Sequence, residues 1–196
     1  MKKVHYLSFI LAGGKSSRMG SDKGLMTFRG KPMVLHVADI LFRSFNSVQI
    51  ISNSDAYTKF GFEVIPDDIP GIGPIGGIVT GLRKSTSEWS FFAACDMPLI
   101  TTELIKNITN QIDNQHTAGC DAILFSTDGR LEPVFGLYHK NALVKFEEMI
   151  AANQFRLQDI RNNMKVGEVD LPVSAAVSLK SINTREDLDK YNLNGN

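Results

Sequence analysis

The sequence predicts an α/β domain with a largely parallel sheet and helices on both faces. Three observations carry this. Short apolar runs alternate with segments of helical period along the chain. One run, "WSFFAAC" (89–95), is apolar at nearly every position, as a central strand covered on both sides must be. The unusual residues, glycines, cations and aspartates, gather just after the predicted strands, where open α/β sheets bind ligands.

The elements follow in order. "YLSFILA" (6–12) reads as a buried strand. "KPMVLHVADILFRSF" (31–45) reads as a helix with Pro32 near its first turn, and Val34, Val37, Ala38, Leu41 and Phe45 fall on one face. "SVQIIS" (47–52) and "FEVIP" (62–66) are strands, and "GGIVTGLRKS" (76–85) is a glycine-started helix. "TTELIKNITNQI" (101–112) is a helix capped by Thr101 or Thr102, with Glu103 in its first turn. "DAILFS" (121–126) and "EPVFGLY" (132–138) are strands, followed by a helix over 141–152 with Asn141 as its cap. "AAVSLKSI" (175–182) reads as a last strand and "TREDLDKYN" (184–192) as a short helix. The loops to read are therefore 12–24, 52–55, 66–77 and 95–100.

The chain of 196 residues suffices for one good-sized domain, and no repeat or low-complexity linker divides it. Basic and acidic residues balance at 21 each, so no basic excess points to nucleic acid. Any anion site must be a local concentration of charge. Cys95 and Cys120 lack metal-ligand spacing and read as reduced core thiols. The four histidines are scattered and form no metal-binding pair. The basic start and apolar run of "MKKVHYLSFILAGG" mimic a signal peptide, but the run is short and interrupted. A cytoplasmic protein with no membrane span is expected.

Two motifs are decoys. "GGKSS" lacks the leading glycine of an ATP-binding loop, because Phe9 occupies that place inside the strand. "GIGPIG" (71–76) matches a dinucleotide fingerprint by letter, but four residues separate it from the preceding strand and Pro74 removes a backbone donor. It reads instead as a glycine-rich turn feeding a helix.

The loop after the first strand has its own logic. Gly13 and Gly14 allow positive φ and clear side chains from the strand end, so that successive N–H groups can face one anion. Arg18 adds a planar donor fork and Lys23 a mobile point charge. Together they suit a triphosphate. Asp96, in "AACDMPL" (93–99), follows an apolar strand directly and is placed to hold Mg²⁺. Asp67 and Asp68 form a second acidic strand end, able to bind metal or accept hydrogen bonds from a base or ribose. An Asx turn before Pro70 accounts equally well for Asp68.

These motifs resemble those of the molybdenum cofactor guanylyltransferase family. "LAGGKSSRMGSDKG" is similar to its signature LAGGxSxRMGxDKxL. "PDDIPGIGPIGGI" resembles D…GxGPLxGI with Ile75 for Leu, and "CDMPLI" resembles CDxPxL. "INTREDL" (182–188) resembles NTPEDL with Arg185 for Pro. The resemblance spans residues 9–188. It implies a single Rossmann-like α/β/α nucleotidyltransferase domain over 1–196, with a nucleotide-binding N-terminal part and a molybdopterin-side C-terminal part. It implies transfer of GMP from GTP to molybdopterin, carrying molybdenum or not, with release of pyrophosphate.

By the same resemblance Leu11, Ala12, Gly13 and Gly14 meet the nucleotide by backbone, while Arg18 and Lys23 hold phosphates. Asn53 and Asp67 recognise ribose or base, Asp96 binds Mg²⁺, and Asn183 lies near the pterin substrate. Lys15 occupies a variable position. Ser181 stands where many members carry Asn, and Glu132, Pro133 and Tyr138 are further residues for the pterin side. Other proteins of molybdenum cofactor biosynthesis or delivery are the implied neighbours. The rival readings are a cytidylyltransferase on the same fold, another small nucleotidyltransferase, and a nucleotide-binding regulatory protein without turnover. Relatives that make the cytosine dinucleotide tend to read LAAG where this chain has Leu11 to Gly14.

Overall fold

Apolar residues on alternate sides of each strand bury both faces of one seven-stranded sheet in the computed structural model, which describes residues 6–13, 22–111, 118–172 and 176–193. The strands are β1 (Tyr6–Leu11), β4 (Gln49–Ile51), β5 (Glu63–Ile65), β6 (Trp89–Ala94), β7 (Ala122–Thr127), β8 (Arg130–His139) and β9 (Val166–Asp170). A separate two-stranded ribbon joins β2 (Thr27–Phe28) to β3 (Lys31–Pro32). The sheet order is β5-β4-β1-β6-β8-β7-β9. The first four strands in that order are mutually parallel, β8 runs antiparallel to both neighbours, and β9 is parallel to β7.

The helices are α1 (Met33–Phe45), α2 (Pro74–Lys84), α3 (Thr102–Thr109), α4 (Ala142–Ala151) and α5 (Arg185–Leu193). Alternation along β1 and β6 sets the layers. Ile10, Phe91 and Ala93 pack with Val34, Val37, Leu41 and Ile105 from α1 and α3. Phe9 and Phe92, stacked at 5.1 Å between ring centroids, pack with Ile78, Val79, Phe146 and Met149 from α2 and α4. Each fully buried Phe or Leu of this kind contributes roughly 1.5–3 kcal/mol relative to exposure.

Several ends shift by a residue or two, and two differ for a physical reason. Lys31 and Pro32 belong to the ribbon rather than to α1, and Pro32 becomes the cap residue of the helix. The strand expected over 175–182 is absent from residue 176 onward. Leu179 and Ile182 are its buried residues, three apart, whereas Val177 is 49% exposed; that spacing suits the observed 3₁₀ turn Val177–Leu179, not a strand of period two. The edge strand β9 escapes a pattern reading because only Gly167 of its five residues is buried. Thr101 is the cap of α3, accepting from the Leu104 N–H at 3.3 Å. Asn141 precedes α4 without a side-chain cap bond. Cys95 and Cys120 are buried free thiols, as read. Among the described residues no helix is long and apolar enough to cross a membrane.

Candidate active site

Four parallel strands end level with one another, and this creates the site. The Ala12 N–H donates to the Ile51 carbonyl at 2.9 Å, Ser52 to Ile65 at 2.9 Å, and Cys95 to Leu11 at 3.1 Å. Beyond these last ladder bonds lie Gly13, Asn53, Asp67 and Asp96, one from each strand end. Neighbouring strands are about 4.8 Å apart, so the four loops share one short edge. Gly13 is exposed, and a Cβ built on it would meet nothing within 4 Å. Its φ is not positive, so the left-handed conformation expected there is not used. Gly14, Lys15 and Arg18 lie outside the described residues.

Asp96 and Lys23 face each other across the edge. Lys23 opens a 3₁₀ turn, Lys23–Leu25, capped by Asp22, whose Oδ1 accepts from the Gly24 N–H at 3.1 Å. The Lys23 ammonium donates to Asp96 Oδ2 at 3.2 Å and also to Asn183 Oδ1. Asn183 arrives from the far end of the chain. The Ile182 N–H donates to the Asp96 carbonyl at 2.8 Å and its side chain is buried with Phe28 and Met33. Thr184 and Asp187 then start α5 reciprocally. The Asp187 N–H donates to Thr184 Oγ1 at 3.0 Å, and Asp187 Oδ2 accepts from the Thr184 N–H at 3.1 Å. Arg185 takes the first helical position, directly after this cap.

Asp96 Oδ1 is buried with no hydrogen-bond partner among the described residues. An unpartnered anionic oxygen is costly unless something positive meets it. Glu132, on β8, adds a second carboxyl whose pKa burial pushes up to about 7; Arg130 pulls it back and the Asp96 charge raises it further. Among the described residues no three acidic, histidine or cysteine side chains form a closed metal cage. One or two protein carboxylates, completed by substrate oxygens and water, are the donor set that Mg²⁺ takes, so these residues fit that ion.

The Asp67 loop is built differently. Asp67 Oδ1 accepts from the Ile69 N–H at 2.9 Å and from the Thr80 hydroxyl at 3.1 Å. The Asx turn considered for Asp68 is thus made by Asp67. The Asp68 N–H donates to Thr80 Oγ1, and Asn53 Oδ1 accepts from the Asp67 N–H, both at 3.0 Å. Asn53 and Asp67, expected together, are therefore joined directly. Thr80 was read only as a residue of helical period; its buried hydroxyl is what ties Asp67 to α2. The sequence "GIGPIG" is a turn feeding α2, as read. Gly73 sits at φ 77°, Pro74 begins the helix, and a Cβ on Gly76 would lie 2.4 Å from the Ile69 carbonyl oxygen.

Residues 8–166 match the model of the MobA-like NTP transferase domain family. The chain belongs to this family. Curated relatives span the same length. The molybdenum cofactor guanylyltransferase of Vibrio campbellii is 35% identical over 189 residues, 93% of this chain and 92% of its own. That of Cupriavidus metallidurans is 31% identical over 188 residues, 93% and 92% of the two chains. The crystal structure of molybdopterin-guanine dinucleotide biosynthesis protein A from Archaeoglobus fulgidus superposes with a TM-score of 0.76, at 23% identity, covering 95% and 96% of the two chains; at that identity it bears on the fold. As a MobA-like NTP transferase the protein is a nucleotidyltransferase, and its α/β/α sheet is the one that this family uses.

Proposed function

We propose that the protein transfers the guanylyl group of GTP to the terminal phosphate of molybdopterin, releasing pyrophosphate. The observation that carries this is Lys23 held between Asp96 and Asn183, beside a buried Asp96 oxygen that has no donor. Relatives named as guanylyltransferases, matched over 93% of this chain, support the choice of substrates.

An oxygen of the molybdopterin phosphate attacks the α-phosphorus of GTP, and the bond to the β-phosphate oxygen breaks. The nucleophile is already an anion near neutral pH, so catalysis rests on positioning and charge neutralisation. Leu11, Ala12, Gly13 and Gly14 let the nucleotide approach the backbone. Arg18 and Lys23 hold its phosphates. Asn53 and Asp67 accept or donate hydrogen bonds to ribose or base, and Asp67 Oδ2 has no hydrogen-bond donor among the described residues. Asp96 holds Mg²⁺, with Glu132 near it; when bound, the ion offsets negative charge on the phosphate oxygens. Asn183 stands on the acceptor side, so nucleotide and molybdopterin divide between the N-terminal and C-terminal parts of one domain covering 1–196. A cytoplasmic site of action beside other cofactor biosynthesis or delivery proteins suits this reaction.

The test is incubation with each NTP, Mg²⁺ and molybdopterin, followed by identification of the dinucleotide. GTP alone should give product, because polar groups set for guanine stay unpaired with another base at about 1–3 kcal/mol each. A cytosine dinucleotide would replace guanine by cytosine in this reading. Absence of any dinucleotide and of pyrophosphate would overturn it.

A further inference from the structure

Behind Lys23 lies a buried contact with no part in the roles assigned so far. Tyr57 sits in the 3₁₀ stretch Asp55–Phe60 that follows β4, and it is fully buried. Its hydroxyl donates to Asp22 Oδ1 at 2.5 Å, the same oxygen that receives the Gly24 N–H. The three residues are fitted to one another. A Cβ on Gly24 would lie 2.4 Å from the Tyr57 hydroxyl and 3.1 Å from Cys95 Sγ. Tyr57 thus reaches the residue before Lys23 and packs beside the residue before Asp96.

We propose that Tyr57 is a positioning residue for Lys23: its hydroxyl fixes Asp22, and Asp22 fixes the turn that presents the Lys23 ammonium to a nucleotide phosphate. A pocket that needed only an aromatic ring would be filled by Phe without a polar atom to satisfy. A hydroxyl aimed at a carboxylate makes a charge-assisted bond, stronger and more directional than a neutral one. Burial first, then the neighbouring Cys95 and Asp22, raise the Tyr57 hydroxyl far above its ordinary range, so it stays a donor at every working pH. Among the described residues the Lys23 ammonium bonds only to Asp96 and Asn183, which are also groups assigned to ligand. A nucleotide that draws Lys23 away from them leaves the Asp22 turn as its anchor.

The kinetic part of this inference rests on the guanylyl-transfer reading; the structural part does not. The experiment has two arms on Tyr57→Phe, which keeps the ring. In the first, acetylation of each lysine by a water-soluble reagent is followed by mass spectrometry on the protein without ligand. Lys23 should label several-fold faster in Tyr57→Phe relative to the exposed Lys84. Asp22→Ala should do the same, and Asp22→Asn, which retains an oxygen acceptor without the charge, should fall between Asp22→Ala and the parent. In the second arm, pyrophosphate release from Mg·GTP and molybdopterin should fall roughly ten- to a hundredfold in Tyr57→Phe, mostly in kcat. In a Lys23→Ala background Tyr57→Phe should add no more than about twofold, because the two act as one unit. Unchanged Lys23 labelling, or an equal loss in both backgrounds, overturns the proposal, since a general loss of stability would act alike with and without Lys23. A parent protein that releases no pyrophosphate overturns the guanylyl-transfer reading, while the labelling arm still decides the role of Tyr57. Should Tyr57→Phe not fold, the two Asp22 variants decide the same question.

Discussion

Asp67 and Asp96 each follow a parallel strand at the same edge of the sheet, yet their surroundings treat them in opposite ways. Asp67 Oδ1 is filled from within, by the Ile69 N–H and the Thr80 hydroxyl, and its carboxylate shapes the loop that leads into α2. Asp96 has one oxygen opposite Lys23 and the other buried with no donor among the described residues. A carboxylate oxygen satisfied locally adds stability; a buried one without a donor costs stability until a cation arrives. The difference separates a residue that builds its own loop from one that waits for charge.

The comparison breaks most readily at Asp96. Asp96→Asn keeps the shape but loses the charge proposed to hold Mg²⁺, and steady-state turnover should fall by about a hundredfold or more. Its circular dichroism spectrum and melting temperature should stay close to the parent's. Near-normal Mg²⁺-dependent turnover would remove Asp96 from the chemistry.

Glu132 sharpens the same contrast through pH. In the unfolded chain its carboxyl ionises from its ordinary value of 4.5, whereas in the fold it holds its proton up to about 7. The folded pKa is raised, so its contribution is fully present below the unfolded value and is lost as pH rises through 7. Glu132→Gln should therefore be more stable than the parent above pH 7, by at most about 3 kcal/mol, with the difference vanishing in acid. Denaturant unfolding of the metal-free protein across pH checks this. A pH-independent difference would mean that the Glu132 carboxyl titrates normally.

On the Asp67 side the expected losses are in stability. Thr80→Val leaves the Asp68 N–H without its acceptor and removes one of the two donors to Asp67 Oδ1, costing about 2 kcal/mol in a urea melt. Affinity for GTP should drop with it while kcat is largely kept. Asp68→Asn is the smallest change. The Asp68 side chain is exposed and makes no bond in the loop, so stability should move by less than about 0.5 kcal/mol. A large loss there would transfer the structural role from Asp67 to its neighbour.

How much of this was legible beforehand depends on how local each signal is. The parallel strands β1, β4, β5 and β6 announce themselves as apolar runs, and so did the placing of Asp96 and Asp67 at strand ends. The cap of α3 could be read from Thr101 and Glu103 because a cap involves four consecutive residues. Asn183 could be found only through resemblance, since nothing near residue 183 says that Lys23, 160 residues away, will bond to it. Thr80 and Tyr57 were hidden for a related reason. Each looks locally like an ordinary core residue, and its hydroxyl acquires meaning from a partner on another element. Asp22 did carry a signal: an Asp directly before Lys23, Gly24 and Leu25 is a capping pattern, and it sits within the matched signature. The 175–182 misreading shows the converse, an apolar-looking stretch whose alternation is contradicted by which side chains the core accepts.

The bond from the Ile182 N–H to the Asp96 carbonyl has a consequence for how the molecule comes into being. A chain emerging from the ribosome can pair β1 with β4 and β6 as soon as residue 94 is out, and can close the sheet after β9. Lys23 and Asp96 can then meet, but Asn183 joins them only when the segment after β9 folds back onto the Asp96 loop. Contacts of such large sequence separation form late, after the loop entropy they close has been offset by the rest of the fold. A stage with a finished sheet and an unfinished site is the expected consequence. Docking of that last segment, rather than formation of the core, is what completes the site.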